Sequence, residues 1–347
     1  MFNQLAFYSR RIGERFDLVQ AGGGNTSIKD EDGHLYVKAS GVRLSDIVTI
    51  TNFAKLDNRK LTELFFTVDW ESLDREKRES KANEIVTTCN LTLDKRPSIE
   101  TLLHAICPGT VFHTHPLIVL EFFSGGKNRE QFNDIFAFVS YATPGIELTL
   151  ALNKSRNEFI IRTGHEPKAI ILENHGMVVY DDNPELTWNK TLLVLEKIDS
   201  TIGNSISIET KYATANKISM VMENLFHLPC VTIPLKKVND TMKVSQRPFF
   251  PDGVVFFGGG ALVTREVDLT TDIQKYLKEF TIPPKIFIIE SIAYANGSNF
   301  TKANEIAEVW ELHSTIAEAN ANHIVSLEKE EILYLSHWEA EKYRKEL

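Results

Sequence analysis

The sequence has little cysteine. Its 347 residues contain three, Cys89, Cys107 and Cys230, with no CxxC pair among them. An odd, scattered set does not make a disulfide framework. The expectation is buried, reduced thiols in a cytosolic protein. Cys107 sits beside Pro108 in an apolar setting, which is poor ground for a thiolate nucleophile. No run reaches the roughly 18 uninterrupted apolar residues of a membrane span. Arg10, Arg11, Glu14 and Arg15 interrupt the opening residues, so no signal-peptide core is expected and the expected location is cytoplasmic. Positive charge is also scarce. Lys and Arg total 38 against 47 Asp and Glu, a formal net charge of −9. An acidic surface repels phosphate backbones, so neither a nucleic-acid nor a membrane partner is expected, although a local cationic pocket is compatible with it.

Several chemical signatures are missing too. Gly22-Gly23-Gly24 is followed by no GK[ST], so it is no Walker A loop. Gly258-Gly259-Gly260 fails the GxGxxG fingerprint because its last position is Val263. No GxSxG elbow is present, and internal repeats and low-complexity segments are absent.

What remains is an ordinary globular composition, 43% hydrophobic and 24% charged. At roughly 150 residues per domain the length suggests about two domains. Apolar residues at helical spacing from Phe2 to Phe16 predict an opening amphipathic helix. A polar glycine loop follows at Ala21–Ser27, then a strand at Leu35–Ala39 that ends at Ser40-Gly41. The charged stretch from Asp57 to Asn83 reads as exposed. Pro97-Ser98 starts a helix carrying Glu100, Leu103, His104 and Cys107, stopped by Pro108-Gly109. Val111–His115, Ala169–Leu172 and Met177–Tyr180 read as strands. Asn183-Pro184 opens a helix with Leu186, Leu193, Ile198 and Ile202 on its buried face. Prolines at 229, 234, 248 and 251 flank a polar stretch, which places a boundary between a domain at 1–230 and a second at 248–347. Beyond it Val254–Phe257 and Lys285–Glu290 read as strands, and Ala303–Ala321 and Lys329–Lys345 as helices. Interspersed helices and strands give an α/β or α+β class.

The strongest chemical feature is Phe112-His113-Thr114-His115-Pro116. Residues two apart on a strand share a face, so two imidazoles can reach one metal ion. A third candidate, His175, ends a buried strand in Glu173-Asn174-His175-Gly176. Three neutral histidines with an open position describe a catalytic zinc site. An HxH pair alone does not define a metal site; its neighbours give it that reading. Glu100 could ligate that metal or move a proton on a carbon beside a metal-bound carbonyl. The plainer alternative is an exposed helix carboxylate. His104, four residues on, reads as structural. Gly24-Asn25, Ser40-Gly41 and Ser98 are small-residue positions able to contact an anion, each alone a turn or a cap.

Taken together, GGGNTS at 22–27, KASG at 38–41, PSIETLLH at 97–104, HTHP at 113–116 and ENHGMVV at 173–179 resemble the class II aldolase/adducin family over about residues 1–225. The resemblance implies a three-layer α/β/α sandwich around a mainly antiparallel sheet, with residues 248–347 as a smaller α/β extension. It also implies a homo-oligomer, usually a tetramer. It casts His113, His115 and His175 as ligands of Zn2+ or another divalent ion, and Glu100 as the acid/base. Gly24, Asn25, Ser40, Gly41 and Ser98 become phosphate-binding positions for a sugar or sugar-phosphate substrate.

The implied reaction is retro-aldol cleavage of a ketose phosphate through a zinc-stabilised enediolate. A 4-epimerase or a dehydratase would use the same site, and a non-enzymatic adducin-like protein would lack the histidines kept here. Two departures stand out. Ile99 replaces the second serine of the family's PSSE motif. The aldolase tyrosine has no match, since Phe132, Phe136 and Phe138 fill its stretch and Tyr141 belongs to a separate YATPG motif. FFPDGVVFFGGGALV at 249–263 and WEAEKYR at 338–344 look like the longer members related to bifunctional rhamnulose-phosphate aldolase/dehydrogenases. The dehydrogenase half has no counterpart in these residues.

Overall fold

A computed structural model describes residues 1–202, 209–238, 247–319 and 325–337. They fall into two units, Met1–Ser207 and Ile208–Leu347. In the first, the chain runs through α1 (Phe2–Gly13), β1 (Asn25–Lys29), β2 (His34–Lys38), β3 (Phe53–Asp57), α2 (Asn58–Thr67) and α3 (Arg75–Cys89). It continues with α4 (Thr101–Ile106), β4 (Thr110–Thr114), α5 (Leu117–Phe123), β5 (Phe136–Val139) and α6 (Ile146–Thr163). The last elements are β6 (Ala169–Leu172), β7 (Gly176–Asp181) and α7 (Pro184–Ile202).

Seven strands form one sheet in the order β3-β2-β1-β4-β7-β6-β5. Every neighbouring pair is antiparallel except β5 with β6. Alternation along each strand sorts the side chains into two faces. Ile28, Phe112, Ile171, Met177 and Val179 pack with residues of α1, α5 and α7. Val111, Ile170, Leu172, Val178 and Tyr180 face the other way, toward α4 and α6. Leu35, Val37 and Leu56 meet α2, α3 and α4 on that same side. The first unit is therefore the α/β/α sandwich with a mainly antiparallel sheet.

The second unit is a smaller version of the same idea. It contains α8 (Glu209–Phe226), β8 (Val231–Lys237), α9 (Pro251–Phe257), β9 (Leu262–Val263), α10 (Leu269–Phe280), β10 (Ile286–Ile289), β11 (Ile292–Gly297), α11 (Phe300–Ala319) and α12 (Lys329–His337). Its sheet runs β8-β11-β10-β9. Phe287, Ile289 and Tyr294 pack on α8 and α10. Ile286, Ile288, Ala293 and Ala295 pack on α9 and α11.

The structure corrects four sequence-based expectations. The polar, proline-marked stretch does not divide the chain at 230–248, because β8 pairs with β11 and so belongs with α8 to the second unit. Val254–Phe257 is helical, not a strand. Pro251 opens that turn at N1, where a missing N–H costs nothing. On α7 the buried apolar residues described are Trp188, Val194, Leu195 and Ile198, whereas Leu186 and Leu193 are exposed. The stretch 57–83 is not simply exposed, since Leu61, Phe65, Ala82 and Trp70 join a core. Ala321, residues 338–345 and the WEAEKYR segment lie outside the described residues, as does the side chain of Ile202.

Candidate metal centre

His113 is placed by the centre of the sheet. β4 is flanked by β1 and β7, with Asn25 opposite His113 on one side and Val178 opposite it on the other. The ring is fully buried, and its Nδ1 meets the carbonyl oxygen of Met177 at 3.1 Å. With Nδ1 donating, Nε2 carries the free lone pair and faces inward. His115 lies just past the end of β4. Its N–H donates to Leu18 O at 2.8 Å, and the N–H of Leu117 donates to Asp17 O at 3.0 Å, so the turn after α1 grips both sides of it. A buried Arg15–Asp17 ion pair stiffens that turn. Gly23 stands so close that a Cβ there would lie 2.8 Å from His115 Nδ1.

His175 arrives through chain reversal. Asn174 takes a left-handed conformation with φ of 55°, and its Oδ1 accepts from Gly125 N at 3.1 Å. Gly176 then passes within reach of β4. A Cβ there would sit 2.2 Å from Thr114 O, so only glycine permits the approach. One ligand atom from each of His113, His115 and His175 lies within 4.8 Å of the others. The Nε2 atoms of His113 and His115 are 3.1 Å apart.

Glu100 stands at the N-terminal boundary of α4, two residues later than the predicted helix start, and is 5% exposed. Its Oε2 lies 3.5 Å from His113 Nε2 and its Oε1 3.5 Å from His175 Nε2. Asn25 Nδ2 donates to Oε2 at 2.6 Å. Burial raises the Glu100 pKa, opposed by His175, His115 and the Asn25 hydrogen bond. Burial likewise holds the imidazoles neutral, lowering His113 to about 4. His115 is lowered to about 3 by burial and then by its histidine neighbours. His175 is lowered for the same reasons.

These donors fit a divalent cation. Three neutral imidazoles converge with a carboxylate beside them, the donor set of a catalytic zinc site. Glu100 Oε1 is buried with no hydrogen-bond partner among the described residues, a cost that a cation held beside it by the imidazoles would remove.

The remaining predicted positions lie nearby in differing states. Ser40 N donates to Arg96 O at 2.8 Å and Ala39 bridges Pro97, which brings the Ser40-Gly41 turn alongside Ser98. Ser98 Oγ accepts from Glu100 N at 3.2 Å. Gly24 turns the chain into β1 with φ of 72°. Asn25 directs its amide to Glu100, a contact the sequence did not suggest. Ile99 is exposed. His104 stays apart from the three imidazoles, with Nδ1 on Ser27 Oγ at 2.7 Å. Lys38 opens the KASG motif, where the resemblance assigns it no role of its own. It is buried, donates to Val42 O at 2.7 Å, and its charge lowers the Glu100 pKa in a minor way.

The depressed imidazole pKa values carry a stability consequence. Between about 6.5 and about 4 the unfolded chain takes up protons that folded His113 and His115 refuse. Stability of the metal-free protein therefore falls as pH drops through that window, by up to about 1.4 kcal/mol per unit for each group. Glu100, raised by burial, acts in the opposite sense and offsets part of the loss. Urea unfolding of chelated protein at pH 7, 6 and 5 should show the decline. A flat profile would mean that the rings are not buried in neutral form.

Over residues 3–198 the chain matches the family described as the class II aldolase and adducin N-terminal domain. The uncharacterized oxidoreductase YuxG of Bacillus subtilis (strain 168) is 29% identical over 223 residues, covering 59% of this chain and 30% of the relative. The chain thus spans less than a third of the length of that curated relative. A solved N-terminal class II aldolase domain of a conserved protein from Thermoplasma acidophilum is 23% identical with a TM-score of 0.48, covering 58% of this chain and 93% of that one. L-fuculose-1-phosphate aldolase from Thermus thermophilus is 14% identical with a TM-score of 0.34, covering 57% and 90%. Among the described residues no helix is long and apolar enough to cross a membrane.

Proposed function

The chain belongs to the class II aldolase and adducin family, and on that premise we propose that it is a metal-dependent aldolase cleaving a ketose phosphate by retro-aldol chemistry. One observation carries the reading: His113, His115 and His175 converge within 4.8 Å, and the Glu100 carboxylate lies 3.5 Å from two of them. These imidazoles would hold Zn2+ or another divalent ion. Such an ion, when bound, supplies Lewis-acid stabilisation of negative charge on substrate oxygens.

The other work falls to the chain itself. Glu100 protonates the carbon freed by C–C cleavage, and removes that proton in the synthetic direction. Its burial favours a carboxyl able to hold the proton. Asn25 fixes Oε2, leaving Oε1 toward His175. Gly24, Ser40, Gly41 and Ser98 receive the phosphate, whose binding orients the distant reacting bond. Ile99 offers no hydrogen bond there, so the phosphate cradle rests on fewer hydroxyls. The catalytic residues all lie in the first unit.

Incubating metal-loaded protein with a panel of ketose 1- and 5-phosphates tests the reading. Aldehyde release from one of them is the expected result. An isomer of equal mass would identify a 4-epimerase, and loss of water a dehydratase; either product would replace the aldolase reading while leaving the site intact.

A further inference from the structure

Strand β1 carries polar side chains at every second position, Asn25, Ser27 and Lys29. The alternate residues point to the other face, where Thr26 bonds Ser9 of α1 and Ile28 joins the α1 core. The polar face lies against α4 and grips it along its length. Asn25 Nδ2 donates to Glu100 at 2.6 Å, just before the helix. Ser27 Oγ bonds His104 Nδ1 at 2.7 Å in its middle. Lys29 Nζ donates to His104 O at 2.8 Å and Cys107 O at 2.5 Å at its end. The dimensions agree. Positions 25 to 29 span about 13 Å of strand, and 100 to 107 about 10 Å of helix.

The Ala39–Pro97 bridge and the Ser40–Arg96 hydrogen bond hold the chain before α4, and the β1 side chains add directional contacts at its start, middle and end. The helix has six residues, too few to be stable alone. Leu102, Leu103 and Ala105 anchor it in the core, but apolar burial is non-directional and tolerates sliding. Hydrogen bonds have narrow distance and angle ranges. Ser27 and His104 are fully buried, so their bond cannot be exchanged for one to water. Lys29 meets the carbonyl end of the helix, where unpaired acceptors and the dipole both favour a cation. The same strand pairs with β4, with Asn25 opposite His113. β1 thus registers the histidine strand through its backbone and the Glu100 helix through its side chains.

We propose that Ser27, Lys29 and His104 are positioning residues that hold Glu100 beside the three imidazoles by fixing the slide of α4 along β1. This rests on the acid–base reading of Glu100. A displacement of about 1 Å at a catalytic group can cost on the order of 100-fold in rate.

The test uses Ser27→Ala and Lys29→Met in the full chain, with Ser27→Thr as the variant that keeps the hydroxyl. Cobalt(II) loaded in place of the native ion gives visible bands that report groups next to it and need no substrate. The expected result has three parts: equal cobalt content in all proteins, bands altered in Ser27→Ala as they are in Glu100→Gln, and bands restored in Ser27→Thr. With a turned-over ketose phosphate, Ser27→Ala should lose 10- to 100-fold in kcat with KM within about twofold. Parental bands and parental kcat in folded Ser27→Ala and Lys29→Met overturn the proposal. So does a loss that tracks cobalt content, which would be a general structural effect. If Glu100→Gln is itself fully active, the acid–base reading falls; if it is inactive while Ser27→Ala is normal, only the positioning claim falls.

Discussion

Glu100→Gln is expected to lower kcat by about two to four orders of magnitude while metal-binding capacity stays at the parental level. The substitution preserves volume and hydrogen-bonding shape. Its amide oxygen can still accept from Asn25 Nδ2, now 2.6 Å from Oε2. What it removes is the ability to hold and release a proton. The fold should not suffer, because burial already disfavours the charge on Glu100. A neutral amide in the same place carries no such penalty. The unfolding midpoint is therefore expected at or above that of the parent. Glu100→Asp makes the complementary point, since it retains the carboxyl but withdraws it by one methylene from imidazoles 3.5 Å away. It should recover little activity, because proton transfer requires hydrogen-bond reach of the substrate carbon. Metal analysis, calorimetry and single-turnover kinetics on the three proteins check this. Turnover of the glutamine variant within tenfold of the parent would remove Glu100 from the chemistry and leave it a structural carboxyl.

Parts of this site are visible in one dimension and parts are not. The HxH spacing of His113 and His115 follows from strand periodicity, so two of the imidazoles could be paired by counting. His175 could not. It reaches them because β7 runs antiparallel to β4 with Met177 opposite Thr114, a register set by packing some sixty residues away in sequence. The Asn25–Glu100 hydrogen bond is equally non-local. Asn25 looked like part of a glycine loop for anions, although the alternation of Asn25, Ser27 and Lys29 was a readable hint that one face of this strand meets something polar. The opening helix and most strands of the first unit were legible because their apolar periodicities are long or bounded by glycine and proline. Val254–Phe257 failed for the opposite reason: a short apolar run has no periodicity with which to tell a buried strand from a buried helix. The domain boundary failed because Pro234 looked like punctuation, yet it sits within β8 opposite Tyr294 of β11. Proline is tolerated there because β8 is an edge strand.

Adding zinc to chelated protein should stabilise it by about 4 kcal/mol at a thousandfold excess over the dissociation constant. Native geometry alone leads to this outcome. Three neutral imidazoles are gathered within 4.8 Å in the folded chain and dispersed in the unfolded one, so the ion binds one state and not the other. His113→Ala should abolish both the bound metal and the stabilisation. Its ring is the central donor, fixed by Met177 O and facing His115 and Glu100 at once. His175→Ala should do the same. His104→Ala is the informative control. That imidazole is also buried and also near, but its Nδ1 is held by Ser27 and it stands outside the converging three. It should cost stability at every zinc concentration while leaving the zinc-dependent increment in place. The pH dependence sharpens the contrast. Because His113 and His115 stay neutral down to about 4 and about 3 in the metal-free fold, zinc should displace few protons from them at neutral pH. Affinity should then change little between pH 8 and 6, where a site of ordinary, half-protonated histidines would weaken. Calorimetric titration in buffers of different ionisation enthalpy reads that proton count directly. A zinc increment that survives His113→Ala and His175→Ala but vanishes with His104→Ala would relocate the centre to another set of ligands.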